Sequence, residues 1–299
     1  MNAMHLIRQH PPATGITLMQ YGMQCIHANR QAMRHCHIPT DALPCDETKK
    51  IQTEMKQIIH SKFKPMKRDP LFVALSNQKG GVGKSNIAVN LAVQFQRMGL
   101  KTIIFDADIG LANVEVMFGT IPQYSLNDLI YHDKEIEDII TDGPEGVGFI
   151  SGGSGIMGLS NLTLDQISYL VKSVEKLSVI ADIVIVDTGA GISDSVMEFV
   201  ASSPEILLVT TPEPSSLTDA YSLLKMLYRN PKYDKNESVI HVLTNRVASF
   251  GEGKMVFDKL ESVVKQFLDG SVHYIGIIPQ DAMLEKAVRI QKPVSIVSP

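Results

Sequence analysis

The chain of 299 residues has no apolar run near the ~20 residues that cross a bilayer, and its opening MNAMHLIRQHPP lacks the apolar core of a signal peptide. These absences make the cytoplasm the expected compartment, with a peripheral place at the inner face of the cell membrane left open. No low-complexity tract interrupts a composition that is 44% hydrophobic and 20% charged, so a buried core is expected and wholesale disorder is not. A basic excess is missing as well. The net charge of −4 supplies no global field for nucleic acid and leaves only a local patch as a route to it. Cysteine is scarce: Cys25, Cys36 and Cys45 stand among His27, His35 and His37, with no tight C-x-x-C or H-x-x-x-H pair. That spacing predicts reduced thiols rather than a zinc site.

What is present divides near residue 70. Residues 1–70 carry 10 Lys/Arg against 5 Asp/Glu, and the remainder carries 18 against 27. The first part also holds all three cysteines, six of the nine histidines and half of the methionines. We therefore read residues 1–69 as a helical or flexible extension and residues 70–299 as one α/β domain. From Leu71 onward, short β-branched runs alternate with longer amphipathic stretches, the pattern of parallel strands joined by crossover helices. Strands are predicted at 71–76, 101–106, 147–151, 183–187, 206–210, 239–244 and 273–278, with helices at 85–98, 164–177, 195–201, 216–228 and 254–268. The expected fold is a doubly wound, mostly parallel sheet with flanking helices, which binds ligands beyond the carboxyl ends of its strands.

The strongest motif, Lys79-Gly80-Gly81-Val82-Gly83-Lys84-Ser85, lies between the apolar run LFVALS and a predicted helix. Glycines let the backbone curl so that successive N–H groups point inward, and the helix adds the positive end of its dipole. Such a loop cradles phosphates, with Lys84 at the β- and γ-phosphates and the Ser85 hydroxyl on magnesium. The strict Walker A pattern fails because Gln78 stands where its first glycine belongs, and Lys79 appears as a second lysine. Asp187 closes the run ADIVIVD at a strand end and fits a Walker B carboxylate. Asp106 and Asp108, two apart after KTIIF, point the same way if the strand continues that far.

These residues resemble a known family. KGGVGKS after a strand is similar to the deviant Walker A loop of the MinD/ParA superfamily of P-loop ATPases, with an Asn77-Gln78 prefix like that of the ParA branch. Three further segments resemble the FlhG subgroup, also called FleN or YlxH, MinD-like regulators of flagellar number and placement. They are DADIGLANVEVMFG (106–119), VDTGAGISDSV (186–196) and TTPEPSSLTDAY (210–221). The match runs from about Leu71 to Val297.

The resemblance implies slow hydrolysis of ATP with Mg²⁺ and an ATP-dependent homodimer. Gly80, Gly81, Val82, Gly83, Lys84, Ser85 and Asn86 would hold the phosphates, and Ser85, Asp106 and Asp187 the magnesium, with Asp106 either in the magnesium shell or structural. Asp108 would orient the attacking water, and Lys79 would reach the partner's nucleotide. Asn245 would meet the adenine edge, with Pro279 and Asp281 near the purine. Gln280 departs from the Glu frequent in relatives. In TTPEPSSLTDAY, Glu213 and Asp219 are candidate interface residues, Ser215 or Ser216 a helix cap. SGGSGIMGLSNL (151–162) resembles a loop near the dimer face. No cysteine follows Cys45, which disfavours the relatives that bridge an iron–sulfur cluster between subunits.

The implied partners are an FlhF-like GTPase and flagellar basal-body or regulator proteins. In the extension, residues 46–66 place Ile51, Met55, Ile58, Ile59 and Phe63 on one face of a basic amphipathic helix. Arg30-Gln31-Ala32-Met33-Arg34 only partly matches the subgroup's GTPase-stimulating D-Q-A-x-x-L-R. The family's C-terminal membrane helix finds no counterpart, since residues 291–299 contain two prolines and too few positions, and weak or no ATP-dependent vesicle binding is expected. Two alternatives share the chemistry: a ParA-like DNA-partitioning ATPase, for which only Lys286, Arg289 and Lys292 cluster late in the chain, and a MinD-type septum-site regulator.

Overall fold

The computed structural model describes residues 71–153 and 162–298. The Cys/His segment, the expected basic helix at 46–66 and most of loop 151–162 lie outside the described residues. In chain order the elements are β1 (Leu71–Ser76), α1 (Lys84–Arg97), β2 (Thr102–Ala107), α2 (Val114–Phe118), α3 (Leu126–Tyr131), β3 (Thr141–Asp142), β4 (Gly148–Ile150), α4 (Leu164–Lys176) and β5 (Ile183–Thr188). There follow α5 (Asp194–Ala201), β6 (Glu205–Thr210), α6 (Pro214–Leu227), β7 (Val239–Val247), α7 (Phe250–Leu268), β8 (His273–Pro279), α8 (Ala282–Arg289) and α9 (Val294–Val297).

The strands form one sheet in the order β3-β4-β2-β5-β1-β6-β7-β8. Every pairing is parallel except β3 with β4. β1 lies between β5 and β6, so the loop leaving its carboxyl end opens at the middle of the sheet. Alternation sends successive side chains to opposite faces. Ala74, Phe105, Val186 and Leu208 enter one core with α4, α5 and α6, while Val73, Leu75, Ile104 and Ile185 enter the other with α1. Both faces are covered, which is why the strands read as continuous apolar runs. Each fully buried Leu or Ile contributes roughly 1.5–3 kcal/mol relative to exposure.

All seven predicted strands are present, most with ends shifted by one to three residues. α6 starts at Pro214, where a missing N–H costs nothing, and neither serine caps it. Ser216 instead turns back, its Oγ 3.1 Å from Thr210 Oγ1 and accepting the Thr211 N–H at 3.1 Å. α7 begins four residues earlier than its apolar period implies, because Ser249 Oγ accepts the Glu252 N–H at 3.2 Å and caps it. β3, α2, α3, α8 and α9 were not anticipated. α9 docks on α1 through Ser295 N–H to Asn90 Oδ1 at 2.8 Å. Among the described residues no helix is long and apolar enough to cross a membrane.

Candidate phosphate site and nucleotide cavity

The phosphate loop is built as its glycines require. Gly81 and Gly83 take positive φ of 75° and 101°, and Gly83 turns the chain directly into α1. No side chain caps α1, which leaves its first N–H groups available to an anion. Two buried amides brace the loop from outside. Asn77 Nδ2 donates to Val209 O at 2.5 Å and Asn77 Oδ1 accepts the Lys79 N–H at 2.8 Å. Asn245 Nδ2 donates to Val82 O at 2.7 Å, and its Oδ1 accepts the Arg246 N–H at 2.9 Å. A Cβ on Gly83 would come within 2.5 Å of Asn245 Nδ2, so this contact needs glycine. Asn245, expected at the adenine edge, thus fastens the loop and keeps one N–H for a ligand.

Lys84 is buried at the base of the loop, its Nζ 3.4 Å from Asn77 O. Burial lowers its pKa, against the opposing pull of Asp187 and Asp108. Asp187 is wholly buried, and its pKa is pushed up to about 7 by burial, with the adjacent Ser85 hydroxyl and Lys84 charge acting the other way. Among the described residues no backbone N–H reaches either of its oxygens, and the Ser85 hydroxyl is the polar group beside them. A buried carboxylate beside a hydroxyl fits a hydrated magnesium ion, which takes one or two protein oxygens and fills its octahedron with phosphate and water. Ser85 and Asp187 are the residues that would hold it. Among the described residues no cluster of three or more His, Cys, Asp or Glu competes for a metal.

Asp106 stands opposite Asp187 in the β2–β5 register. Its Oδ2 accepts the N–H groups of Asn113 (2.8 Å) and Val114 (3.0 Å), and its Oδ1 that of Asp108 (3.2 Å). Burial, then the Asp187 charge, raises its pKa well above the usual range, while those three N–H groups lower it. Of the two roles expected for Asp106, this geometry serves the structural one: the carboxylate ties down the loop that carries Asp108. Asp108 is half-buried, accepts from Asn113 Nδ2 at 3.2 Å, and has its pKa raised by burial against the Lys84 charge. A Cβ on Gly189 would lie 2.6 Å from Asp108 Oδ1, so the glycine after Thr188 is what admits this carboxylate.

Lys79 turns away from its own phosphate loop. Its ammonium pairs with Glu213 and hydrogen-bonds Ser215 Oγ at 2.7 Å, at the start of α6. Solvent screens this exposed pair, so it opens readily. TTPEPSSLTDAY is therefore the segment that holds the second lysine, a role for which its sequence offers no signal. Asn86, Asn245, Pro279 and Asp281 converge on a cavity of ≈ 540 Å³ between α1, β7 and α8. Asp281 also caps α8, accepting the Met283 N–H at 2.9 Å. Among the described residues Asp219 forms no hydrogen bond or ion pair that gives it a role within one chain.

With this geometry in place, comparison with known proteins decides the family. The model of the CobQ/CobB/MinD/ParA nucleotide binding domain matches residues 73–294. The chain belongs to this family. It is a P-loop ATPase of the MinD/ParA type. Among relatives, it is similar to antiactivator FleN of Pseudomonas aeruginosa, 40% identical over 222 residues that cover 74% of this chain and 78% of FleN. The flagellum site-determining protein YlxH of Helicobacter pylori is 34% identical over 230 residues, 76% of each chain. The septum site-determining protein MinD from Pyrococcus horikoshii, solved with Mg-ADP, superposes with a TM-score of 0.59 at 22% identity, covering 75% of this chain and 87% of that one, a likeness of fold.

Asp187 makes the family's site sensitive to pH when no ligand is bound. Between the usual carboxylate pKa of 3.8 and about 7, the folded chain keeps a proton that the unfolded chain has released. Stability of the ligand-free protein therefore falls as pH rises through that window. Asp187→Asn should flatten the fall and raise the melting temperature at pH 8, by roughly 2–4 °C for each kcal/mol recovered. Calorimetric melting from pH 5 to 8 checks this; an undiminished slope in the variant would assign the effect to other groups.

Proposed function

We propose that this chain is an ATP-switched regulator of flagellar number or placement, acting as a Mg²⁺-dependent ATPase that pairs with a second copy of itself when ATP is bound. The observation that carries the reading is the match across about three quarters of its length to FleN and to YlxH, the latter a flagellum site-determining protein. The site's geometry supports the switch. The N-terminus of α1 and Lys84 receive the phosphates, and magnesium, when bound between Ser85 and Asp187, would neutralise charge on the β- and γ-phosphates. Asp108, held by Asn113 and admitted by Gly189, orients the water that attacks the γ-phosphorus, giving ADP and phosphate. Lys79 must leave Glu213 and Ser215 to act, and the signature lysine of this family acts on the nucleotide of a partner.

Because the Lys79 ammonium sits outside its own phosphate loop, Lys79→Ala should bind ATP with near wild-type affinity. Hydrolysis should fall by about 10²–10³-fold, the usual effect of removing one charge-stabilising group. Phosphate release measured beside calorimetric binding checks this, and a matching loss of affinity would put Lys79 in the chain's own site. The cellular test is a count of flagella by electron microscopy in the source organism, comparing a strain without the chain, the wild type and a Lys84→Ala allele. Altered number or position in the first and third supports the reading. Normal flagella with misplaced septa or lost plasmids would favour the MinD-type or ParA-like alternative.

A further inference from the structure

The phosphate loop opens at the carboxyl ends of the strands, and the opposite end of the sheet, its foot, is where the first 70 residues join the domain. Leu71 opens β1 and donates its N–H to Asp182 O at 3.1 Å. Three residues before Asp182, between α4 and β5, Val179 is 87% exposed, while Ile180 and Phe72 are half-buried against the core beneath α4 and α5. The pairing register carries this level across the sheet. Leu71 lies opposite Ile183, Ile183 opposite Thr102, Ile103 opposite Gly148, and Gly148 opposite Asp142. Asp142, on the edge strand β3, therefore stands within one residue of the level of Leu71 and four strand spacings away, about 19 Å. Residues 133–142 hold Asp133, Glu135, Glu137, Asp138 and Asp142, all exposed, against Lys134 alone. A 3₁₀ turn in this stretch, Ile136–Ile139, buries its two isoleucines, and Glu135 pairs at 3.2 Å with Lys176 at the end of α4. The acidic edge and Val179 thus belong to one surface. Among the described residues no salt bridge engages Asp133, Glu137, Asp138 or Asp142.

An occupant of matching chemistry precedes β1 in the same chain. Residues 49–68 carry seven Lys/Arg against Glu54 alone, and Ile51, Met55, Ile58, Ile59 and Phe63 recur at helical spacing. A helix over 49–63 would be about 22 Å long, close to the span from β1 to β3. Pro65 would end it, and the seven residues 64–70 can bridge up to about 25 Å to Leu71. Reach and charge therefore agree on one seat. We propose that residues 49–63 dock as a helix across the foot of the sheet, with Phe63 toward Val179 and the lysines toward the acidic edge beside β3. Docking there leaves the carboxyl ends of the strands, and with them the phosphate loop, open. It also fixes where the rest of the extension leaves the domain.

Hydrogen exchange of the full chain, followed by mass spectrometry, tests this through paired variants. Val179→Asp alters an exposed side chain and should leave the circular dichroism spectrum unchanged, while exchange in residues 49–63 rises about tenfold as the segment is released. The double variant Glu137→Lys/Asp142→Lys should do the same by removing the opposite charge. Ile58→Asp should in turn raise exchange at residues 133–142 and 177–182, a reciprocal effect that loss of a lone helix cannot produce. Exchange in 49–63 that neither foot variant alters would overturn the proposal. Protection that fades on dilution would place the segment on a second copy, and protection seen only with phosphatidylglycerol vesicles would assign it to a membrane surface; each overturns docking within the chain.

Discussion

Lys84→Ala should lose at least 100-fold in affinity for Mg-ATP while its sheet stays folded. The lysine contributes almost nothing to the apolar core; it sits at the head of α1 and points into the loop. Its charge lies buried beside Asp187 and Asp108, which both favour its protonated form. A charge-assisted contact to phosphate in such a partly dehydrated site exceeds a neutral hydrogen bond about twofold, and its loss also exposes the phosphates to two carboxylates. In the unliganded chain the substitution removes a cation that lowers the pKa of Asp187, so that carboxyl should shift further upward. Calorimetric titration checks binding and circular dichroism checks the fold. A folded variant with wild-type affinity would remove the phosphate-loop assignment.

Asp108→Ala should bind ATP normally and hydrolyse it about 10²–10⁴-fold more slowly, the range for loss of a positioned acid–base or water-orienting group. The structure separates this residue from binding. Among the described residues the Asp108 carboxylate forms no hydrogen bond to the phosphate loop backbone; Asn113 and the space left by Gly189 position it. Because hydrolysis would be what ends the ATP-bound state, the variant should accumulate as an ATP-bound dimer, visible by light scattering when ATP is added. Asp106→Asn should behave differently. It weakens acceptance of the Asn113 and Val114 N–H groups and so displaces the whole loop, lowering thermal stability as well as rate. Hydrolysis by Asp108→Ala at the wild-type rate would sink the water-orienting role.

The central strands and the phosphate loop were legible because each is a local code. LFVALS, TIIFDA and IVIVDT are buried on both faces, so their apolar runs name them as interior parallel strands. Gly81 and Gly83 sit where positive φ is needed, so the loop's shape was written in its spacing. Among the short elements, α5 and the strands other than β3 were legible from their apolar runs, whereas β3, α2, α3, α8 and α9 were not, since a hydrophobic period barely repeats within them. β3 is also antiparallel, an edge strand that closes the sheet beside β4 with two residues.

The sequence by itself determined the fold class and the family, and it marked the lysine and serine of the phosphate loop and the strand-end carboxylates as site candidates, because these depend on residue type and short spacing. Tertiary structure alone decided what those groups do to one another. Lys79 meets Glu213 across 134 residues, and Asn245 braces Val82 across 163. Asp106 spends its oxygens on backbone N–H groups, while among the described residues Asp187, its register partner, receives no backbone N–H. Pairing register, burial and dehydration arise when strands distant in the chain become neighbours in the sheet, and no local pattern of residues encodes which neighbours those will be.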